Sequence, residues 1–506
     1  MATIDRRSFL QASGAAALAT ALPDRLVRDP YVPFGRSMPV DVVRVRGRVT
    51  GGRRGLGDVA VSDGVSVVRT APDGTFELLA DATQPFVWVT TPAGHATPTS
   101  STGTAAFYRP LTRDRRGEMR LEFALTALEV PDERHGFLVL ADPQTQNMFE
   151  IGRLHAETVP DVQATARAMG GVPLFGIACG DIMYDDLTLY PEYERAVAEM
   201  HLPFYQVVGN HDLVYTARTD EEANTTFSHH FGPAYYSFDR GEVHYVVLDD
   251  VFWYGNAYIG YLDGRQLGWL RADLAGIEPG RTVVVLLHIP ALSTGEQRNG
   301  GTAPGRSSSV MNREALYRLL EPYQATVISG HTHEHERHRE GDVRHHVTGA
   351  VCGAWWSGDI CWDGTPNGYG VYDVRGSELR WRYKATGQPV EHQIRLYARG
   401  SDPGFSDAVI ANVWDADETW TVVWYEDGER RGAMTRRLGM DPRSVIEQTG
   451  PDKPPRRGWV EPTRTDHLYY APVAPGADVL VEATDPWGRT YVGRAVSPPT
   501  GGGEQR

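Results

Sequence analysis

Hydrophobic and polar positions alternate over short distances in the first part of the chain, from Val40 to about Phe123. The β-prone runs 42–49 and 86–90 are separated from their neighbours by turn dipeptides such as Asp63-Gly64. Regularly spaced short strands with Gly/Asp turns predict a small β-sandwich, which we place at residues 40–128. This region contains no cluster of His, Cys and carboxylate side chains, so we expect the chemistry of the protein to lie elsewhere.

The pattern changes at His135, where longer apolar runs begin to alternate with amphipathic segments. This alternation predicts an α/β domain with buried strands over residues 133–385. The predicted strands are 136–141, 174–179, 204–208, 235–238, 243–248, 282–288 and 325–329, and the predicted helices are 159–169, 191–200, 266–274 and 313–320. From 388 to 495 the short β-type alternation returns, and it predicts a second β-rich domain. The Pro/Gly-rich tail 496–506 is predicted to be disordered.

The N-terminus has the pattern of an export signal. Arg6 and Arg7 are followed by Ser8-Phe9-Leu10, a mildly apolar run from residue 12 to 22, and an Ala-Thr-Ala cleavage site that ends at Ala21. These features predict a twin-arginine signal peptide at residues 1–21 and a linker at 22–39. We therefore expect export by the twin-arginine machinery to the periplasm, the cell envelope or the medium.

Charge and cysteine content exclude several classes of protein. The 506 residues include 65 acidic and 50 basic side chains, a net charge of -15, which disfavours general nucleic-acid binding. The sequence has no apolar run long enough for a transmembrane segment. Three cysteines do not make a disulfide framework, and Cys352 and Cys361 can either pair or stay separate thiols.

Five short polar segments each follow directly after a predicted buried strand. The carboxyl ends of neighbouring strands in an α/β sheet lie at one edge, so segments far apart in sequence should meet there. Their residues supply carboxylate, amide and imidazole groups, which suit borderline divalent metals. The number of these ligands exceeds what one metal ion needs if it keeps a coordination position open for water or substrate. We therefore predict two metal ions, held by Asp142, Gln144, Asp181, Asn210, His288, His331 and His333.

These segments resemble the motifs of the calcineurin-like metallophosphoesterase superfamily. That family has D-x-H, GD, GNH(D/E), H and GHxH in this order, and the chain has Asp142-Pro143-Gln144, Gly180-Asp181, Gly209-Asn210-His211-Asp212, His288 and Gly330-His331-Thr332-His333. The resemblance also includes the stretch 231–239 and extends over residues 133–385. It implies an α/β (α+β) four-layer sandwich flanked by two smaller β-rich domains. It also implies two divalent ions (Mn, Fe or Zn) and a phosphoesterase that hydrolyses a mono- or diester with a hydroxide held between the metals.

The same resemblance assigns roles to individual residues. Asp142, Gln144, Asp181 and His333 would hold the first metal, and Asp181, Asn210, His288 and His331 the second, with Asp181 shared. His211 would protonate the leaving oxygen. Gln144 departs from the usual His, and Tyr184 stands where the family often has an acidic residue that orients the catalytic His. Asp185 or Asp212 would then orient His211.

Other candidates surround the last motif. We expect Trp355, Trp356 and Asn367 to contact the substrate, because they lie in loops just after the His pair. His335, His338, His345 and His346 form either a further metal patch or an exposed, charge-rich hairpin, and we favour the hairpin. The aromatic segment 252–261 either covers the site or packs in the core.

One alternative belongs to a different class, a non-catalytic cell-envelope binding or scaffold protein built on the same fold. Metal content and hydrolysis of an aryl phosphate would separate the two hypotheses. The expected partner of the enzyme is a phosphate-ester substrate that could derive from the envelope, and the sequence does not distinguish a monoester from a diester.

Overall fold

The structure is a computed structural model that describes residues 41–451 and 453–496. The predicted signal peptide and linker, and the tail from residue 497 onward, lie outside these described residues. Among the described residues no helix combines the length and the apolar character needed to cross a membrane.

The N-terminal part consists of two four-stranded sheets packed face to face. The longest strand, β1, alternates exposed positions with the buried Val43, Val45 and Val49, as a strand with one covered face requires. It pairs antiparallel with β5 and parallel with β8. The strands are β1 (Val42–Gly51), β2 (Arg54–Gly55), β3 (Ala60–Ser62), β4 (Val67–Arg69), β5 (Thr75–Asp81), β6 (Phe86–Val89), β7 (Tyr108–Pro110) and β8 (Glu118–Leu125).

The central part contains thirteen strands and eight α-helices among the described residues. The strands are β9 (Arg134–Leu140), β10 (Leu174–Cys179), β11 (Phe204–Val207), β12 (Tyr236–Arg240), β13 (Val243–Val247), β14 (Val251–Trp253), β15 (Tyr258–Gly260), β16 (Thr282–Leu286), β17 (Gln324–Ser329), β18 (Glu336–Glu340), β19 (Val343–Val347), β20 (Gly368–Arg375) and β21 (Glu378–Ala385). The helices are α1 (Met148–Arg153), continued by a π-turn (Leu154–Thr158), α2 (Val159–Ala168), α3 (Tyr190–Met200), α4 (Asp220–Ala223), α5 (Thr225–Phe231), α6 (Gly264–Leu274), α7 (Gly295–Arg298) and α8 (Arg313–Leu320). Each predicted central strand and helix is present within a few residues of its predicted bounds.

Two sheets form the centre of this part, with strand orders β11-β10-β9-β20-β21 and β12-β13-β16-β17-β19-β18. Strands β9, β10 and β11 are parallel, as are β13, β16, β17 and β19, and hairpin strands complete the edges. Aromatic side chains join the two sheets; the Phe137 and Tyr245 rings meet edge to face at 5.4 Å between centroids, and Tyr205 stacks on Phe238 at 3.8 Å. Helices α2 and α3 cover one outer face and α6 and α8 the other. The predicted four-layer α/β arrangement is confirmed.

A buried ionic group ties strand β13 to its surroundings. The two ring nitrogens of His244, which is 1% exposed, lie 2.8 Å from Asp239 Oδ1 and 3.0 Å from Asp273 Oδ2. Burial disfavours the charged imidazolium, but Asp273 and Asp239 outweigh that cost and raise the pKa of His244 to about 10.

The C-terminal part is again β-rich, with sheet orders β22-β23-β27-β26 and β25-β24-β28-β29. Their inner faces share a core that includes Val409, Val479 and Val481. The elements are β22 (Arg395–Tyr397), β23 (Ala408–Asn412), β24 (Thr421–Glu426), β25 (Glu429–Ala433), β26 (Thr435–Met440), α9 (Pro442–Thr449), β27 (Arg464–Pro472), β28 (Asp478–Thr484) and β29 (Thr490–Val496). The expectation of flanking β-rich parts on both sides is confirmed.

The preference for an exposed histidine-rich hairpin was wrong. Strands β18 and β19 join the six-stranded sheet, and His335, His345 and His346 are at most 2% exposed. The C-terminal part covers His335: Asp415 contacts His335 Nε2 at 3.0 Å and Arg337 Nε at 2.8 Å. His335 therefore belongs to a buried polar contact between two parts of the chain, whereas His345 packs beside Tyr317 and His346 beside Tyr372 within the central part. Cys352 and Cys361 are both buried free thiols in the structure.

Candidate metal centre

The predicted ligands lie in the turns that follow strands β9, β10, β11, β16 and β17. A non-glycine residue rarely adopts positive φ, because its Cβ then crowds the backbone, and such residues gather at functional sites. Five of the seven predicted ligands have positive φ: Asp142 (48°), Gln144 (39°), Asp181 (46°), His331 (73°) and His333 (51°). The strand ends therefore bend sharply where the chain supplies its candidate metal-binding side chains.

Two glycines allow these turns to pack against each other. A Cβ on Gly209 would lie 2.0 Å from the backbone nitrogen of Asp181 and 2.3 Å from its Oδ1. A Cβ on Gly330 would lie 2.5 Å from Asp142 Oδ2. Both positions border a candidate carboxylate ligand, so glycine is required by close approach rather than by turn geometry alone.

Asp181 is the meeting point of the cluster. Its Oδ1 lies 3.2 Å from His288 Nε2 and accepts a hydrogen bond of 2.9 Å from the His211 backbone N–H. His288 Nε2 is in turn 3.1 Å from both Asn210 Oδ1 and His331 Nδ1. One ligand atom from each of Asp181, His288 and His331 lies within 4.8 Å of the other two.

Asp142 and His333 form the neighbouring half of the cluster. His333 Nε2 is 3.7 Å from Asp142 Oδ1, and the His331 backbone N–H donates to the Asp142 carboxylate at 2.9 Å from Oδ2. Both Asp142 and His333 are at most 1% exposed. The structure thus brings Asp142, Asp181, Asn210, His288, His331 and His333 together, as the sequence predicts.

Three of the histidines are arranged to bind cations. His288 Nδ1 lies 3.1 Å from Cys179 O, His331 Nε2 2.7 Å from Ser307 O, and His333 Nδ1 2.6 Å from Gly353 O. A carbonyl can only accept, so the ring nitrogen that faces it carries a proton. In His331 and His333 the other nitrogen presents a lone pair to the cluster. In His288 the carboxylates of Asp181 and Asp142 outweigh burial and raise the pKa to about 10, so Nε2 holds a second proton that a bound cation would replace. A backbone carbonyl that holds the tautomer in this way is the usual partner of a metal-ligating histidine.

The electrostatics of the cluster also fit bound cations. Burial keeps His331 and His333 neutral and lowers their pKa values to about 3 and about 4, and neutral imidazole is the form that binds metals. Burial raises the pKa of Asp142 to about 8, because the positive charge of His288 offsets only part of the cost of desolvation. Divalent ions would supply the missing positive charge, so the donor set fits the metals that the resemblance implies.

Gln144 contacts the cluster differently from the other predicted ligands. Its amide Nε2 donates to Asp181 Oδ2 at 3.0 Å, whereas its Oε1 faces the Cys352 thiol at 3.8 Å. In this conformation Gln144 offers a donor to the shared carboxylate and not an oxygen to a cation.

His211 is held beside the cluster by Asp185. Its Nδ1 lies 2.6 Å from Asp185 Oδ1, and the Tyr184 ring stacks on the imidazole with centroids 4.3 Å apart and an interplanar angle of 17°. Burial opposes the charged imidazolium, but the carboxylates of Asp181 and Asp185 outweigh it and raise the pKa of His211.

Asp212, the other candidate for this orienting role, does not contact His211. Its carboxylate accepts from the backbone N–H groups of Ile182, Met183 and Gly209 and from the Tyr190 hydroxyl. The prediction of a catalytic role for Asp212 is corrected: the side chain lies in the interior, where it organises the turns that carry Asp181 and Asn210.

Of the three predicted substrate contacts, only Trp355 borders the centre. Its ring stacks on His333 with centroids 4.0 Å apart. Trp356 is 2% exposed and donates to Pro143 O at 2.9 Å, so it packs inside. Asn367 is 5% exposed, with its backbone N–H bound to Asp359 O and its side chain beside Gly353. The predictions for Trp356 and Asn367 are corrected, because both side chains face the protein interior.

The sequence reasoning missed the residues that the C-terminal part adds to this site. The Arg457 guanidinium lies 4.5 Å from the centroid of Tyr184, on the ring that stacks on His211. Trp459 packs against Trp355 at 4.5 Å between centroids. Neither residue belongs to a motif, and only the positive φ of Arg457 (60°) marks the segment locally.

Comparisons with known proteins agree with this geometry. The model of a family described as "Calcineurin-like phosphoesterase" matches residues 137–335. Models of the N-terminal and C-terminal parts of calcineurin-like phosphoesterases match residues 43–128 and 345–491. A model of the twin-arginine translocation signal sequence matches residues 3–23, so the N-terminus is a signal for export by that pathway.

The chain is also similar to individual phosphatases. Serine/threonine-protein phosphatase CPPED1 of Danio rerio is 28% identical over 220 residues, which cover 39% of this chain and 69% of that protein. Purple acid phosphatase 15 of Arabidopsis thaliana is 31% identical over 148 residues, 27% of this chain and only 25% of that relative. Among solved structures, that of PhoD covers 92% of this chain and 88% of its own at 10% identity and a TM-score of 0.33.

Proposed function

The chain belongs to the calcineurin-like phosphoesterase family and is a metal-dependent hydrolase of phosphoric esters; on this premise we propose that the cluster around Asp181 is its active site. The substrate is a phosphate mono- or diester, and the reaction takes place after export. The observation that carries the proposal is the convergence of Asp181, His288 and His331, which come from three different strand ends.

The metals would occupy two neighbouring positions with Asp181 shared between them. Asp142, Asp181 and His333 would hold the first, and Asp181, Asn210, His288 and His331 the second. Gln144 would join the first position through Oε1 after a half-turn of its amide group. When bound, two divalent ions supply the Lewis acidity that activates water and offsets the charge on the phosphoryl oxygens.

His211 would deliver the proton that the leaving oxygen needs. Asp185 accepts from Nδ1 at 2.6 Å, which leaves Nε2 as the nitrogen available to the substrate. The carboxylates of Asp181 and Asp185 favour the imidazolium. As the P–O bond to the alcohol breaks, the alcohol oxygen takes the Nε2 proton and His211 becomes neutral. Tyr184, stacked on the ring, restricts its orientation.

A metal titration with matched variants tests the proposal. We expect the exported form, loaded with Mn²⁺, to contain about two metal equivalents and to hydrolyse p-nitrophenyl phosphate or bis-p-nitrophenyl phosphate. Asp181→Asn should lose metal and activity together. His211→Gln should keep the metal but lose about 10²–10⁴-fold in turnover on poor leaving groups. Wild-type protein that binds no metal and cleaves neither ester would contradict the proposal.

The alternative of a non-catalytic scaffold has less support. A scaffold would gain nothing from three histidines that each face a backbone carbonyl, or from positive φ at five ligand positions. The family models and the phosphatase relatives also support the enzyme.

A further inference from the structure

A cavity of about 380 Å³ lies beside the proposed active site. His331 forms one wall, and Trp355, which stacks on His333, forms another. An ester whose phosphoryl group sits at the cluster can therefore extend one of its substituents into this cavity. The composition of its walls indicates what that substituent is.

Several polar groups on the walls lack partners. Among the described residues, Thr332 Oγ1, Ser308 Oγ and Trp362 Nε1 are buried and have no hydrogen-bond partner, and Thr332 is only 9% exposed. These lining residues therefore keep unused hydrogen-bonding capacity beside the cavity, as do other buried polar atoms elsewhere in the described part of the chain. The hydroxyls can donate or accept, whereas the indole N–H can only donate. A matching ligand must therefore offer acceptors as well as donors.

The charge of the walls disfavours a second anionic group on the ligand. Glu296 and Glu334 line the cavity, and no Lys or Arg does so among the described residues. The nearby Arg298 is 6% exposed and is already paired with Glu334 and Glu336. Carboxylates in such a cavity accept hydrogen bonds from hydroxyl groups and repel phosphate or carboxylate.

Two tryptophans complete the cavity. The rings of Trp355 and Trp362 stand almost perpendicular, at 87° with centroids 5.4 Å apart. Their apolar surfaces suit the carbon skeleton of a ligand whose edge is polar. The C-terminal part contributes Thr463, whose Oγ1 accepts from Asn299 Nδ2 at 3.1 Å.

We propose that this cavity binds the alcohol half of the substrate and that this alcohol is an uncharged polyol, such as a sugar or a glycerol-type chain. The proposal rests on the proposed function. Hydroxyl groups can bond to the hydroxyls of Thr332 and Ser308, to the Trp362 N–H and to the Glu296 carboxylate. A cationic amine would leave the indole N–H without an acceptor. In the reaction, a water oxygen bonds to phosphorus and one water proton is released to solvent, the bond from phosphorus to the polyol oxygen breaks, and that oxygen gains the His211 proton.

A pair of deoxygenated analogues tests the proposal. The Mn-loaded protein is assayed with glucose 1-phosphate against cyclohexyl phosphate and with glycerol 3-phosphate against propyl phosphate, as monoesters and as methyl diesters. We expect at least one polyol ester to exceed its analogue about 10-fold or more in kcat/KM, because a site built for hydroxyls rejects ligands that lack them. Trp362→Phe replaces the indole by a phenyl ring and so removes the N–H group, and Glu296→Gln removes a negative charge. Both variants should reduce the ratio of kcat/KM between the polyol ester and its analogue. Trp487 packs on Trp381 and does not line the cavity, so Trp487→Phe should leave the ratio unchanged.

Binding is measured separately by saturation-transfer NMR on metal-free protein, with glucose 1-phosphate and glycerol 3-phosphate as probes. Sugar or glycerol protons should receive saturation, and Trp362→Phe should weaken the signal. Hydrolysis of aryl phosphates without any preference for polyols overturns this inference but not the proposed function. A preference for phosphocholine or for a nucleoside monophosphate overturns it in favour of those alcohols. If no ester is hydrolysed the proposed function fails, and the NMR result alone then decides whether the cavity binds polyols.

Discussion

Replacing Asp185 with asparagine isolates the contact that holds His211. The substitution keeps the shape of the side chain and removes its charge, and the partner atom lies 2.6 Å away. A hydrogen bond with a charged partner contributes roughly 1.5–3 kcal/mol, and a neutral one about 1 kcal/mol. The Asp185 side chain is 39% exposed, so solvent screens part of the difference. We therefore expect a loss of about 1–2 kcal/mol of transition-state stabilisation, roughly 5- to 30-fold in rate.

The loss should depend on the leaving group. An alkyl ester needs a proton on its leaving oxygen, whereas an activated p-nitrophenyl ester departs without one, so Asp185→Asn should slow the alkyl ester and change the aryl ester by only about twofold. The assay compares kcat/KM for both esters at equal, measured metal content. Asp186→Asn is the matched control, because Asp186 caps Thr188 and not His211. Equal losses on both esters with metal retained would refute the reasoning that Asp185 acts through His211.

Three further predictions concern the glycine, the C-terminal segment and the buried ion pair. Gly209→Ala should displace Asp181 and reduce the amount of bound metal, which is measured by mass spectrometry on protein whose circular dichroism is unchanged. A variant that retains two metal equivalents would contradict this prediction. Arg457→Ala should free Tyr184 and lower kcat a few-fold; the protein should still fold, because Arg456 remains paired with the buried Glu150. Arg457→Lys should restore part of the activity. His244 has a folded-state pKa of about 10, so its stabilisation is complete below about pH 6.5 and is lost as pH rises through 10. In urea titrations the free energy of unfolding should fall by roughly 3–5 kcal/mol over this pH range. In His244→Gln this pH dependence should be absent.

The central strands and the metal-binding side chains could be predicted because the signals are local. Buried parallel strands appear as continuous apolar runs, and β10 was predicted with its observed bounds. Polar residues that directly follow such runs must lie at one sheet edge, whatever the details of packing. The sequence therefore identifies Asp181, His288 and His331, and the structure brings one ligand atom of each within 4.8 Å of the others.

Residues that depend on which neighbour covers them could not be predicted in the same way. Asp185 and Asp212 are both acidic and both close to His211 in sequence or space, yet only Asp185 contacts its ring. The histidines of β18 and β19 form a polar pattern typical of an exposed hairpin, but Asp415, about eighty residues further on, packs against His335.

The sequence by itself determined which strand each ligand follows, the chemical type of the ligands and the export signal. Each of these features depends on residues that are close together in the chain. Only the tertiary structure decided the orientation of the Gln144 amide, the burial of Trp356 and Asn367, and the approach of Arg457 and Trp459 to the site. The physical reason is that side-chain direction and burial depend on contacts with other segments of the chain, and no local pattern of hydrophobic and polar positions specifies those contacts.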